Sequence, residues 1–264
     1  MYDHVRSLLR FVSALVLTLT LRTVSAQSLP PSGSFGYLLN ATYSDPSTEN
    51  GLAILGVINF DGAGNVTGSF TTEQGSSPTN SSQPITGTFT GTYSSNPDGT
   101  GTLTTTADNG TTFTFAMVIT DGGQGLQFVA TNCPCNMGTT TFSGVARAAY
   151  TGSLNAGSYG FQATNSPTPA ASLGVVKFDA AGNVSMSVTF VGLSTPNGQP
   201  NVFTGTSTGT YSSNPDGSGA FTLIAANGNT QTFVFVITDG GSGLLLLQTN
   251  RAGNGVSFGT GRRQ

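Results

Sequence analysis

Residues Gly91–Gly99 read G-T-Y-S-S-N-P-D-G, and Gly209–Gly217 repeat all nine letters. Working outward, Leu55-Gly56-Val57 matches Leu173-Gly174-Val175 and Thr131-Asn132 matches Thr249-Asn250, so one offset of 118 residues holds at both ends. The chain is therefore two copies of one unit. About 100 residues close a hydrophobic core of their own, so each copy reads as a domain and not as one turn of a solenoid.

Only 7% of the residues are charged and 36% are hydrophobic, whereas ordinary globular chains carry about a quarter charged residues. Solubility must then rest on neutral Thr, Ser and Asn, and regularly spaced Phe, Tyr, Val, Ile and Leu speak for folding and against disorder. At the start, Arg6 and Arg10 precede a short apolar run from Phe11 to Leu21, followed by Val24-Ser25-Ala26. That order predicts a secretory signal over residues 1–26 with cleavage after Ala26, and a secreted or periplasmic protein. The run is too short for the ~20 apolar residues that cross a bilayer as a helix, so no transmembrane segment is expected in the mature chain. Five of the eight basic and ten of the eleven acidic residues lie beyond this leader, a net charge of −5. With no basic stripe to neutralise phosphates, the composition argues against a nucleic-acid partner.

After a Pro-containing linker over residues 27–33, each copy parses into eight runs of strand type bounded by Gly, Asn, Asp and Pro turns. Alternation is clearest where Ile85, Gly87, Phe89, Gly91 and Tyr93 interleave with Thr86, Thr88, Thr90 and Thr92, which sends one set inward and a threonine ladder outward. Lys177 should face water, which assigns Val176 and Phe178, with their counterparts Ile58 and Phe60, to the core. Short turns such as Asp61–Asn65, Asn96–Gly99, Asn109-Gly110 and Asp121–Gly123 pair successive strands antiparallel. The expected fold is all-β. It consists of two tandem antiparallel eight-stranded up-and-down barrels, over residues 34–148 and 157–264 with a linker at 149–156, since closure removes both free edges. Open β-sandwiches are the alternative.

The residues that begin and end each copy resemble the calycin pattern of lipocalins and avidins. Gly33-Ser34-Phe35 and Gly157-Ser158-Tyr159 open the first strands, and Arg147 and Arg262 lie near the ends of the last ones. In calycins a Gly-x-Trp opens the barrel and a late arginine packs over that ring. Phe35 or Tyr159 stands here in place of Trp, and the resemblance implies closure of each barrel by Phe35 with Arg147 and Tyr159 with Arg262. The repeated F-D-x-A-G-N-V and G-T-Y-S-S-N-P-D-G also resemble uncharacterised secreted tandem-repeat proteins of environmental bacteria, a resemblance that brings no activity with it.

The one histidine, His4, falls in the leader, so Ser-His-Asp or Cys-His catalysis and His-ligated metals have no residue to use. Asp61/Asp179, Asp98/Asp216 and Asp121/Asp239 recur in glycine-containing turns, where an aspartate accepts hydrogen bonds from the turn itself. No loop has the carboxylate density of a calcium site, and neither a metal nor another cofactor is expected. Glu49 and Glu73 lack acidic counterparts in the second copy, and nothing in the pattern pairs them across a cleft as glycoside hydrolysis requires. The chain is not expected to be an enzyme. Cys133 and Cys135 flank Pro134 in a loop of the first copy only and are a possible disulfide in an exported protein.

Two functions remain, the first being the expected one and the second its alternative. One is a non-catalytic exported barrel module whose neutral threonine-rich face meets polysaccharide, the cell envelope or another surface. The other is a calycin-like carrier of a small apolar ligand, lined by Phe89, Phe113, Phe115 and Phe128 in the first barrel and Phe233 and Leu246 in the second. Eight strands leave an interior that side chains just fill or that holds one ligand, and residue types do not decide between them.

Overall fold

The computed structural model describes residues 33–45, 48–75, 84–132, 141–152, 154, 156–167, 170–194, 199–250 and 255–264. The expected leader and most of the expected first linker, with Cys133 and Cys135, lie outside the described residues. The first copy contributes β1 (Gly33–Asp45), β2 (Thr48–Phe60), β3 (Asn65–Gly75), β4 (Ile85–Ser95), β5 (Thr100–Ala107), β6 (Thr112–Thr120), β7 (Gly125–Asn132) and β8 (Thr141–Ala148). The second contributes β9 (Gly157–Pro167), β10 (Ala170–Phe178), β11 (Asn183–Ser194), β12 (Pro200–Ser213), β13 (Ser218–Ala225), β14 (Thr230–Thr238), β15 (Gly243–Gln248) and β16 (Gly255–Arg263). Each set of eight is an antiparallel meander closed into a barrel, β1 pairing with β8 and β9 with β16. The sandwich alternative is thereby set aside.

Closure follows from sharp turns and close strand contact. The tetrad Asn96-Pro97-Asp98-Gly99 reverses the chain with Gly99 at φ 85° and its counterpart Gly217 at 83°, a backbone region that L side chains rarely adopt. Asp98 Oδ1 accepts from Thr100 N–H at 2.9 Å and Thr100 Oγ1 at 2.7 Å, and Asp216 binds Ser218 in the same way. At Gly91 a Cβ would stand 2.0 Å from the carbonyl oxygen of Thr104, and at Gly209 1.8 Å from that of Thr222. Bare glycine there lets neighbouring strands coil tightly at a barrel corner.

Each barrel encloses its own apolar cluster, packed most densely at the end that carries the short turns. In the first, Phe60 meets Phe35 and Tyr93 edge-on at centroid distances of 5.5 and 4.9 Å, and Val66, Met117, Ile119, Leu126 and Ala146 fill the space around them. In the second, Phe178 occupies the place of Phe60, 5.9 Å from Tyr159 and 5.0 Å from Tyr211. Lys177 is exposed while Val176 and Phe178 are buried. A third cluster joins the barrels: Leu38, Ala53, Leu55 and Val57, on the outer face of β1 and β2, meet Val236, Leu245, Leu247 and Val256 of β14–β16. Between the barrels, Ala149 bridges to Thr238, Tyr150 N–H donates to the Ile237 carbonyl, and Leu154 is buried in the second core.

Candidate functional site

The site in the first barrel is the half of its lumen that the aromatic plug leaves open. Register sets its walls. Residues paired across neighbouring strands point to the same side, so Leu39–Ile54–Thr72 and Leu103–Phe115 line the interior level by level. Together they enclose a cavity of about 450 Å³, with Tyr37, Phe89 and Phe115 toward its floor and Leu52, Phe70, Ile85 and Phe142 toward its mouth. Phe89, Phe113, Phe115 and Phe128 all line this space. Phe113 stacks on Phe115 at 6.2 Å and meets Phe142 edge-on at 5.8 Å, a continuous aromatic wall.

Polar residues take a minor part of this wall: Tyr37, Thr72, Gln74, Thr105, Asp108, Asn109 and Thr111. Tyr37 O–H donates to the Ser69 carbonyl at 3.2 Å, and its burial raises the phenol's pKa well above the ordinary value, so it stays neutral. Asp108 stands at the rim, its Oδ2 accepting from Thr88 N–H at 3.0 Å. The interior therefore offers dispersion contacts and aromatic edges, with little to bind charge.

The second barrel holds a cavity of about 460 Å³ at the equivalent end. Phe233 and Leu246 line it, and Phe233 stacks on Phe221 at 4.8 Å.

Phe35, Arg147, Tyr159 and Arg262 all lie on the closure seams, Arg147 opposite Gly36 and Arg262 opposite Gly160. The recorded partner of each guanidinium is a carboxylate: Arg147 pairs with Asp121, and Arg262 with Asp239 at 2.9 Å. Both acids begin a T-D-G-G-x-G turn, and both have positive φ, 53° and 54°. Gly125 and Gly243 end these turns, and a Cβ at either would crowd the carboxylate. Arg263 is the arginine opposite Tyr159, and its Nη2 donates to the Ala156 carbonyl at 3.2 Å. Tyr159 O–H in turn donates to the Gly241 carbonyl at 2.7 Å, a clasp that Phe35 lacks.

The other acids are committed elsewhere. Asp61 Oδ1 accepts from Ala63 and Asn65 N–H while Oδ2 accepts from Asn65 Nδ2, and Asp179 repeats all three bonds. These bonds, the asparagine side chain's first, hold both carboxyls below the usual range. Glu73 pairs in register with Ala53 on the outer face of β3, so it points between the barrels and away from the lumen. The side chain of Glu49 lies outside the described residues. Among the described residues no three His, Cys, Asp or Glu side chains group to hold a metal ion, and no helix is long and apolar enough to cross a membrane.

Sequence reasoning singled out the phenylalanines of alternating strands but missed Leu39, Leu52, Ile54, Phe70 and Phe142. Leu39, Leu52 and Ile54 lie on β1 and β2, whose two faces are both apolar, so that period-two alternation does not mark the inner face.

No family model matches this chain, and neither does any curated protein. Similar solved structures include a de novo designed fluorescence-activating β-barrel, at 16% identity over 42% of this chain and 94% of that one, with a TM-score of 0.30. Kievitone hydratase from Nectria haematococca is 8% identical over 92% of both chains, with a TM-score of 0.31. Transferrin-binding protein B from Neisseria meningitidis is 9% identical over 89% of this chain and 77% of that one, with a TM-score of 0.28.

Proposed function

We propose that the protein is an exported carrier or sequestering module whose first barrel holds one small, largely apolar ligand in its lumen. The cavity of about 450 Å³ carries the reading: it lies within the size range of small-molecule pockets, it opens at one end, and most of its wall is aliphatic and aromatic. Such a space binds by burial of apolar area and orients its guest against ring edges. Export rests on the leader of residues 1–26.

Titration of the full mature chain with the neutral fluorophore N-phenylnaphthylamine tests this. One saturable site per chain is expected, with an affinity in the micromolar range. Ala107→Trp, which fills the mouth of the first barrel, should weaken it by roughly tenfold or more. An absence of saturable binding, or binding indifferent to Ala107→Trp, would remove the carrier reading.

A second reading is favoured by the outer surface. Thr86, Thr88, Thr90 and Thr92 of β4 and Thr204, Thr206, Thr208 and Thr210 of β12 are all exposed, two neutral ladders of hydroxyls suited to polysaccharide or envelope polymers. Retention of the protein on insoluble cell-wall glycan, lost on replacing the β4 ladder by lysine, is its expected signature.

A further inference from the structure

The two lumens are built on one register but are not lined alike. Position for position, Ala41 becomes Asn165, Ile54 becomes Ser172, Phe113 becomes Gln231, Ala130 becomes Gln248 and Phe142 becomes Ser257. The correspondence is structural. Ala41 pairs with Phe142 as Asn165 pairs with Ser257, and Ala130 pairs with Phe115 as Gln248 pairs with Phe233. Five inward positions that are apolar in the first barrel thus carry an amide or a hydroxyl in the second, and all five line its cavity. Drift on a solvent-facing surface would not account for this, because these groups point into a lumen where an unpaired polar atom is costly.

Some of the amides have structural work. Asn250 accepts from Thr232 N–H at 2.6 Å and donates to the Thr230 carbonyl at 3.0 Å, so it closes a strand end. Asn165 differs: the residue lines the cavity, while its Nδ2 is buried and has no hydrogen-bond partner. A buried donor left in this state costs about 1–3 kcal/mol, a cost relieved when the amide turns toward an acceptor entering the lumen.

From this divergence we infer that the second barrel is a binding site for a small neutral carbohydrate, a class of ligand distinct from that of the first. Amides offer donors and acceptors together, which matches vicinal sugar hydroxyls acting as both. The described lining contains no charged side chain, which fits an uncharged guest. Phe190 and Phe203, register partners on β11 and β12, stand on the same wall with Phe203 largely exposed, and offer ring faces to the C–H face of a pyranose. A cavity of about 460 Å³ accommodates a mono- or disaccharide. The inference rests on the reading that these lumens are ligand sites, and it adds a division of labour between the copies.

The experiment uses the full mature chain, ligand-observed NMR and calorimetry, with a panel of glucose, galactose, N-acetylglucosamine, maltose and cellobiose. At least one sugar is expected to bind saturably and to remain bound when N-phenylnaphthylamine is added. Gln231→Phe and Gln248→Ala install the residues that the first barrel carries, and each should weaken sugar binding by roughly tenfold. Asn165→Ala, again the first barrel's residue, replaces whichever of these fails to fold. No binding across the panel, binding unchanged in the variants, or displacement of sugar by the fluorophore would each overturn the inference. Fluorophore binding in a chain that binds no sugar would sink the second site alone, whereas loss of both would sink the lumen reading itself.

Discussion

Glu73 is the residue whose environment least resembles what its chemistry prefers. It is 4% exposed, on the outer face of the first barrel beside Ala53, with Oε2 lacking a hydrogen-bond partner, and burial raises its pKa from the ordinary 4.5 to about 7. The folded state therefore holds a proton that the unfolded chain has already released. Its stabilising effect is fully present below pH 4.5 and is lost as pH rises through about 7, a total change of about 3 kcal/mol. Asp61, Asp98 and Asp179 act in the opposite sense, because hydrogen bonds hold them below their ordinary value and their contribution is lost as pH falls past it. Stability should thus peak near the lower end of the Glu73 window. Urea midpoints measured from pH 4 to 8 should fall across that window, and Glu73→Gln should flatten the fall and raise stability at pH 8. An equal slope in the variant would show that Glu73 is solvated. Nothing in the sequence around Glu73 marks it. Its counterpart is Val191, and only the docking of the second barrel buries the carboxyl.

Among the elements, β4 and β12 were the most legible, because Gly, Phe and Tyr alternate with Thr and the turn G-T-Y-S-S-N-P-D-G ends both. The eight runs read from each copy coincide closely with the strands. The glycines that serve closure were less legible, since a glycine in a strand looks the same whether it bends, bulges or merely occurs. Structure separates them. Gly209→Ala would drive a Cβ to 1.8 Å from a backbone carbonyl that has no freedom to retreat, and should cost about 3 kcal/mol or prevent closure. Gly228 has φ +83° but open space around it, so Gly228→Ala should cost only about 1 kcal/mol of left-handed backbone strain. Thermal melts of the two variants should separate clearly, and equal losses would mean that the barrel relaxes at β12. Lumen chemistry was half legible. The phenylalanines stood out, but the polar set of the second barrel needed the two copies aligned by register, because the offset changes where β1 and β8 meet their counterparts.

For the whole molecule, the barrels pack wall to wall through two different faces, which follows from where the copies differ on their outer surfaces. Strand β15 is buried at every position from Gly243 to Gln248, whereas β7 alternates, with Gln127 exposed where β15 has Leu245. Likewise Val256 and Phe258 stand where the first copy has Thr141 and Ser143. The second copy thus carries an apolar outer face on β14–β16, and the first presents Leu38, Leu55 and Val57 to it. A heterologous contact would propagate into a fibre if both ends stayed complementary. Exposed Gln127 on the free wall of the first barrel, and exposed Gln162 and Lys177 on that of the second, work against such propagation. This arrangement predicts opposite consequences for one substitution. In the full chain Leu245→Gln places an amide in a buried apolar contact and should cost about 2–4 kcal/mol. In a fragment of residues 149–264 the same position faces water, and the change should be neutral or favour solubility. Starting that fragment at Ala149 matters: a chain beginning at Asn155 lacks Tyr150 and Leu154, which pack on the second core, and should melt at a lower temperature. Cooperative melting of residues 149–264, with Leu245→Gln harmful only in the full chain, is the expected pattern. A fragment that stays unfolded beside a folded full chain would show instead that the interface cluster belongs to a core shared by both copies.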